Sequence, residues 1–473
     1  MSEFLGDLLT TEEREVLARV RAFTREAVGP HAARWERERR MPVETLRAAA
    51  GQGLLAIEVP KAQGGLGGRY LLKLAIAEEM SRTDMAFAFS MINTHNVAAR
   101  LAQSETVAHR DAHVPALMRG EIFGATALSE PGAGSDFASI RTAARKVDGG
   151  WRLSGEKGWI TNAPIADLFV TYAQTDASAG WRGIGCFLVD ARREGFSRKP
   201  AYELLGGHAI GAGGFALDDY FVADEDVLAG PGTAFKLAMQ GVNGARVYVA
   251  AMCAGMLAAS LEAALGYGAA REAFGKPLVD HQGLRWSLAD VATDLEALRA
   301  LTREAGRLID ESKDAVMAAA HAKKFAGRVT LARIGDCVQA MGARGLREDL
   351  PLGRHLACAK IAAFTDGSTE MMQERIGAGL AASYGPTFKS PCLVAFPNGE
   401  PPPLDQRRHF TWKRPGRKAA RRAPALRGAR LREIPSAGNA WPDRSGGSSP
   451  RGPDAREDRD PARGRLKGRR ARG

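Results

Sequence analysis

Long apolar runs are missing from this chain of 473 residues. No stretch without a charge is longer than VYVAAMCAGMLAASL at 247–261, which falls short of the roughly 20 apolar residues that span a bilayer. Its Ala and Gly content reads as a buried helix, and no membrane partner is expected. Cysteine is scarce as well: Cys186, Cys253, Cys337, Cys358 and Cys392 are odd in number, scattered and without CxxC spacing. That argues against a disulfide framework and a thiolate zinc site, and it suits a reducing compartment. No metal site is expected. The N-terminal stretch MSEFLGDLLTTEERE is acidic, where a secretory signal needs a basic start and an apolar core. The expected location is cytoplasmic.

Excess positive charge is absent from most of the chain, although the total is +12. Residues 387–473 hold 22 Lys+Arg against 8 Asp+Glu, together with 12 of the 23 prolines. The part before them is close to neutral. Stretches such as GRKAARRAPALRGARLR show no apolar periodicity, and such composition cannot bury enough surface to fold. A basic segment attracts polyanions without sequence preference, yet aromatic residues that could stack on bases are few here. Residues 387–473 are expected to be a disordered Arg/Pro/Gly-rich tail, and nucleic acid is not an expected partner. An out-of-frame extension of a GC-rich gene would carry the same bias.

What is present before the tail has an ordinary globular balance, 45% hydrophobic and 25% charged over the whole chain. Residues 1–120 read as an N-terminal α-helical domain, opening with a capping box in which Thr10 faces Glu13. Gly29-Pro30 predicts the stop of that first helix. LLKLAIAEEMSR, MAFAFSMINTHNVAARL and ETVAHRDAHVPALM follow with helical apolar spacing. Over 121–229 the period changes to that of strands, six or so, separated by turn residues and not by helices, which predicts a middle antiparallel β-barrel or sandwich domain. Residues 230–386 return to long helices. Leu284, Leu288, Val291, Leu295 and Leu298 mark the seam of a C-terminal four-helix bundle. The fold class is α+β, in the order helices, strands, helices.

Five short stretches carry the chemistry. ALSEPGAGSDFAS (127–139) ends a strand with glycines and hydroxyls around a Pro turn, a shape that points several N–H groups at an anion. GEKGWITNA (155–163) puts an aromatic and a small hydroxyl on a strand, fit to hold a planar heterocycle; a core tryptophan is the plainer alternative. REAFGKPLVDHQ (271–282) joins two helices, and QAMGARGL (339–346) ends one, where a C-cap is the default role. IAAFTDGSTEMMQERI (361–376) sets Asp366 before a Gly-Ser-Thr turn, either as a base or as the N-cap of the next helix.

Taken together, ALSEPGAGSD, WITN, RxxFGxxxxxHQ, QxxGxxG and the acid-Gly-Ser-Thr turn resemble the acyl-CoA dehydrogenase family in order and spacing, over residues 5–385. The resemblance implies an FAD enzyme and a homotetramer, a dimer of dimers. By position, Thr126, Leu128, Ser129, Ser135, Trp159 and Thr161 would contact the flavin half. Arg271, Phe274, Gln282, Gln339 and Gly342 would reach the ADP half from a neighbouring subunit, with Ser368 and Glu370 near the pyrophosphate and adenosine. Ala343 and Cys358 depart from the usual residues.

The resemblance also makes Asp366 the base that removes the proton α to a thioester carbonyl. Typical members carry Tyr-Glu-Gly-Thr at this turn, where this chain has Thr365-Asp366-Gly367-Ser368. Some branches place the base beside an Arg on the bundle helix, but VNGARV (242–247) offers Ala245 next to Arg246 and no acid. Arg246 and Asn243, with His95 of SMINTHN as an alternative proton acceptor, are candidate substrate-binding residues. The expected reaction is α,β-dehydrogenation of a short or functionalised acyl thioester, on CoA or an acyl carrier protein, with electron-transfer flavoprotein or a similar acceptor as partner. Two further readings stay on the fold: an oxygen-using flavoenzyme, nitroalkane-oxidase-like or a hydroxylase, since nitroalkane oxidases use an Asp base, and a DNA-associated member with a basic C-terminal region.

Overall fold

A computed structural model describes residues 5–104 and 106–384. Six helices open the chain: α1 (Thr11–Phe23), α2 (Gly29–Glu38), α3 (Val43–Gly51), α4 (Tyr70–Ser81), α5 (Met85–Ala102) and α6 (Val107–Met118). The capping box forms as its sequence predicts: Thr10 Oγ1 accepts from the Glu13 N–H at 3.2 Å, and Glu13 Oε2 accepts from the Thr10 N–H at 2.9 Å. Gly29-Pro30 does not stop the helix. The chain runs from α1 through a π-turn at Thr24–Val28 straight into α2. Pro30 then lies in the first turn of a new segment, where its missing N–H breaks no bond. α4 and α5 are buried on nearly every side, and Asp84 caps α5 by accepting the Phe87 N–H at 2.9 Å.

The middle of the chain is a sheet of eight strands: β1 (Gly124–Ala127), β2 (Ala143–Val147), β3 (Gly150–Ile160), β4 (Leu168–Gln174), β5 (Ile184–Asp190), β6 (Phe196–Arg198), β7 (Gly213–Ala223) and β8 (Val227–Ala229). Its order is β6-β7-β3-β2-β4-β5-β8, with β1 beside β4. Most pairs are antiparallel; β1–β4 and the single β2–β4 pair are parallel. The parallel placement of β1 brings the start of the Gly-rich loop to the sheet's centre, against α5.

Five helices close the described fold: α7 (Ala234–Ala270), α8 (Gln282–Asp310), α9 (Val316–Met341), α10 (Leu352–Phe364) and α11 (Thr369–Tyr384). Between α7 and α8, Glu272–Ala273 and Lys276–Pro277 pair as a small antiparallel hairpin. α7 is long and apolar enough to cross a membrane, but 72% of its most apolar window is buried inside the protein. It is the core helix predicted for 247–261. Gly255 lets it press on α4, since a Cβ there would stand 2.1 Å from the Glu78 carbonyl oxygen. The α8 seam is as predicted at Leu288, Val291, Leu295 and Leu298, all buried. Gly385-Pro386, Cys392 and the tail 387–473 lie outside the described residues.

Candidate active site

The Gly-rich loop after β1 and the end of β3 are stitched together. The Gly158 N–H donates to the Ser129 carbonyl at 3.1 Å. Lys157, fully buried, donates from Nζ to the Leu128 carbonyl and to Glu130 Oε1, both at 3.0 Å. Glu130 in turn accepts the N–H groups of Arg141 and Thr142 at 2.7 and 2.9 Å. Burial pushes the Lys157 ammonium down to about 8, opposed by Glu130. This strut fixes the path of the loop from both sides.

Asn162 closes the other end. Its backbone is left-handed, with φ +64°, and its buried amide donates to the Ser90 carbonyl, to Thr94 Oγ1 and to the Gly124 carbonyl at 2.9, 3.1 and 3.3 Å. Asn93 Oδ1 accepts the Thr126 N–H at 3.3 Å. Thr126, Leu128, Ser129, Trp159 and Thr161 thus lie where the ends of β1 and β3 meet, with Ser135 exposed on the loop.

Trp159 is no core residue. It is 62% exposed, with φ +61° and its ring centroid 4.6 Å from that of Tyr202. A Cβ placed on Gly132 or Gly134 would meet nothing within 4 Å, so the loop is open to close approach. An indole left facing outward beside a small hydroxyl, next to an open glycine loop, suits a flat heterocycle with an anionic arm. These residues fit FAD.

Asp366 sits on the turn between α10 and α11, left-handed at φ +56°. It does not cap α11: that helix begins at Thr369, and Ser368 Oγ accepts the Met371 N–H at 3.4 Å. Two buried cations hold the turn instead. Arg246 Nε donates to the Asp366 carbonyl at 3.0 Å, while its Nη1 donates to Asn243 Oδ1 at 2.6 Å. Lys323 Nζ donates to the Gly367 carbonyl at 3.3 Å. Both cations bind backbone and neither bonds the carboxyl; Asp366 Oδ2 is buried with no hydrogen-bond partner among the described residues. Burial pushes the carboxyl up to about 6, moderated by Lys323 and Arg246. A carboxylate oxygen kept dry and unpaired, on a carboxyl whose burial raises it, is what proton abstraction needs.

His95 is held away from that role. It is fully buried, and its Nε2 lies 3.0 Å from Glu58 Oε2. Glu58 also pairs with Lys73, which with His95 holds its carboxyl down to about 2 against desolvation. The imidazole itself is pushed down by burial, hence neutral. The residues predicted for the ADP half lie elsewhere. Arg271, Gln282, Gln339 and Gly342 are exposed, and Phe274 is 97% exposed at φ +51°. Antiparallel packing of α8 and α9 sets Gln282 and Gln339 at the same end of that pair. Lys157, Glu130 and Asn162 escaped the sequence reading although they stand inside the quoted motifs, because their part is to hold backbone.

Three family models match in chain order: the N-terminal domain of acyl-CoA dehydrogenase over residues 10–121, the middle domain over 125–220 and the C-terminal domain over 232–381. The human mitochondrial short-chain specific acyl-CoA dehydrogenase is 32% identical over 370 residues, 78% of this chain and 90% of that protein. Among solved structures, butyryl-CoA dehydrogenase from Megasphaera elsdenii superposes with a TM-score of 0.76 at 30% identity, covering 79% of this chain and 98% of that one. A glutaryl-CoA dehydrogenase from Mycobacterium smegmatis in complex with FADH2 gives 0.75 at 25%, covering 80% and 96%. With its helix–sheet–helix order, its FAD-fitting cradle and its buried acid, this chain belongs to the acyl-CoA dehydrogenase family of FAD-dependent oxidoreductases acting on CH–CH donors.

Proposed function

We propose that the protein catalyses α,β-dehydrogenation of a short acyl thioester with Asp366 as the base. The observation that carries this is Asp366 Oδ2, dry and unpaired on a turn gripped by Arg246 and Lys323. FAD held by the loop and strand residues would supply the two-electron oxidant for the β-hydrogen. Asp366 Oδ2 takes the α-proton, and the raised carboxyl matches that task near neutral pH. The Asp366 N–H is the donor offered to the thioester oxygen as negative charge grows there. Arg246 and Lys323 act by gripping successive carbonyls, which keeps the turn left-handed and the short Asp side chain in place.

Thr126, Leu128, Ser129, Ser135, Trp159 and Thr161 hold the flavin half. Arg271, Phe274, Gln282, Gln339 and Gly342, all exposed on their own chain, serve the ADP half of a neighbouring copy, with Ser368 and Glu370 closer to the pyrophosphate and adenosine. Exposed Trp286 and Leu346, 65% and 75%, give that copy an apolar surface to cover, in keeping with a tetramer. Electron-transfer flavoprotein is the proposed acceptor, and an acyl carrier protein is an alternative handle for the thioester. Anaerobic addition of acyl-CoA thioesters to the purified flavoprotein tests the reading: the oxidised flavin band should bleach. A flavin reduced by no thioester on CoA or carrier protein, in a protein that consumes oxygen with a nitroalkane, overturns it in favour of oxidase chemistry, the reading that an Asp base also permits.

A further inference from the structure

Half-exposed residues on four elements line the hydrogen-bonded stretches at the flavin strand and at the base turn. They are Asn93 and Asn96 on α5, Thr126 on β1, Asn243 and Gly244 on α7, and Asp366 itself. Their neighbours on α5, Ile92, Thr94, His95 and Val97, are buried. Asn93 and Asn96 are three residues apart, so they share one face of that helix. Asn93 touches the flavin strand through the Thr126 N–H, while Asn96 Nδ2 donates to the Tyr248 hydroxyl at 3.3 Å. This face therefore runs from the flavin edge to Tyr248, two residues past Arg246.

Polar groups accumulate behind that face. The Tyr70 hydroxyl donates to the Gly244 carbonyl, and the Lys73 ammonium lies 4.4 Å from the Tyr70 ring and 5.7 Å from the Tyr248 ring. Lys73 pairs with Glu58, which also engages His95. An acyl wall built for a plain alkyl chain would bury none of these. The Lys73–Glu58 pair cancels and His95 is neutral, so the cluster carries no net charge to meet an ionised substituent.

We infer that Asn96 and Tyr248, backed by the Lys73–Glu58–His95 cluster, select an acyl group bearing an uncharged hydrogen-bonding substituent, a hydroxyl, over an alkyl or carboxylate-terminated chain. This rests on the dehydrogenase reading and narrows its substrate. Among the described residues, no hydrogen bond uses the Tyr248 hydroxyl proton or Asn96 Oδ1. One is a donor and the other an acceptor, the complement of a hydroxyl, which accepts and donates. An alkyl end leaves both desolvated and unpaired. A carboxylate only accepts, so it meets the Asn96 oxygen with repulsion, while the Arg246 guanidinium on the same helix as Tyr248 is engaged by the Asp366 carbonyl and Asn243.

The test uses the FAD-loaded protein and three four-carbon thioesters: butyryl-CoA, 4-hydroxybutyryl-CoA and succinyl-CoA. Two unpaired buried groups discriminate on the order of tenfold or more. 4-Hydroxybutyryl-CoA should therefore bleach the flavin at least about tenfold more efficiently than either competitor, chiefly through KM. The double variant Asn96→Leu, Tyr248→Phe should invert the preference toward butyryl-CoA, and the single Asn96→Leu should give an intermediate ratio. Thermal shift of Asp366→Asn protein, which binds without turnover, should rank the three ligands in the same order. Wild-type preference for butyryl-CoA, or a ratio the variants do not move, removes the inference and leaves the dehydrogenase standing. Absence of both bleaching and thermal shift with all three removes both.

Discussion

At the residue scale the chemistry narrows to one carboxyl and the two cations that do not pair with it. Because Arg246 and Lys323 bind carbonyl oxygens, they steady the turn and lower the cost of ionising Asp366 without consuming its lone pairs. Asp366→Asn should keep the flavin and lose flavin bleaching by roughly 10²–10⁴-fold, the usual worth of a general base. Wild-type kcat should fall on the acid side with a limb near pH 6, since the carboxyl is pushed up to about 6 and works ionised. Lys323→Met removes a nearby positive charge, so this limb should move to higher pH; a pH–rate profile reads both. The same shift has a stability consequence of defined sign. The folded carboxyl titrates above its ordinary 3.8, so from about pH 4 to pH 6 the folded state holds a proton the unfolded chain has shed. Stability therefore falls through that window. Relative to the wild type, Asp366→Asn should gain melting temperature between pH 4 and pH 6, keep the gain above, and show little at pH 4.

At the element scale, strand ends and helix ends are held by buried polar ties whose purpose is geometric. The strut Lys157–Glu130 joins the end of β3 to the loop after β1 and orients the Leu128 carbonyl inward. Breaking one partner strands a buried charge, a loss of about 3–5 kcal/mol. Glu130→Gln should lower the melting temperature and weaken FAD retention, read by flavin released on gel filtration; unchanged flavin affinity would reduce the pair to a fold element. This scale also shows what the sequence could carry. Apolar spacing located α5, α7 and α8, because helix period and burial coincide there. The Gly-rich loop and GEKGWITNA were legible as a binding pair because glycine, hydroxyl and aromatic types are few and placed. The Gly29-Pro30 stop was misread, because a π-turn lets a proline start a new helical segment without leaving the axis. Asp366 read as a possible cap, since Asp before Gly-Ser-Thr has the propensity; the structure gives the cap to Ser368. Asn162 and the strut left no sequence signal separable from their motifs, because contacts across 38 and 27 residues are fixed only when the sheet pairs.

At the scale of the whole molecule, the two halves of the proposed cofactor site sit far apart on the chain. Lys323, which marks the base turn, is 16 positions before Gln339 on the same helix α9, about 24 Å at 1.5 Å per residue. The Gln339 end also carries an outward Phe274 hairpin, its ring 97% exposed and without cover among the described residues. If each site takes its base from one copy and its ADP contacts from another, two different lesions must complement. Arg271→Ala spoils the contribution a chain makes to its neighbour, and Asp366→Asn spoils its own site. Each variant alone should be nearly inactive. Co-expressed and mixed at random, about a quarter of sites should combine an intact base with an intact Arg271, because half of the interfaces are then hetero-pairs with one good site each. Activity should return to about that fraction, and it should not appear when the two purified variants are mixed without exchange of subunits. Recovery absent after verified exchange would mean that one chain holds the whole cofactor, and the exposed hairpin would need another use.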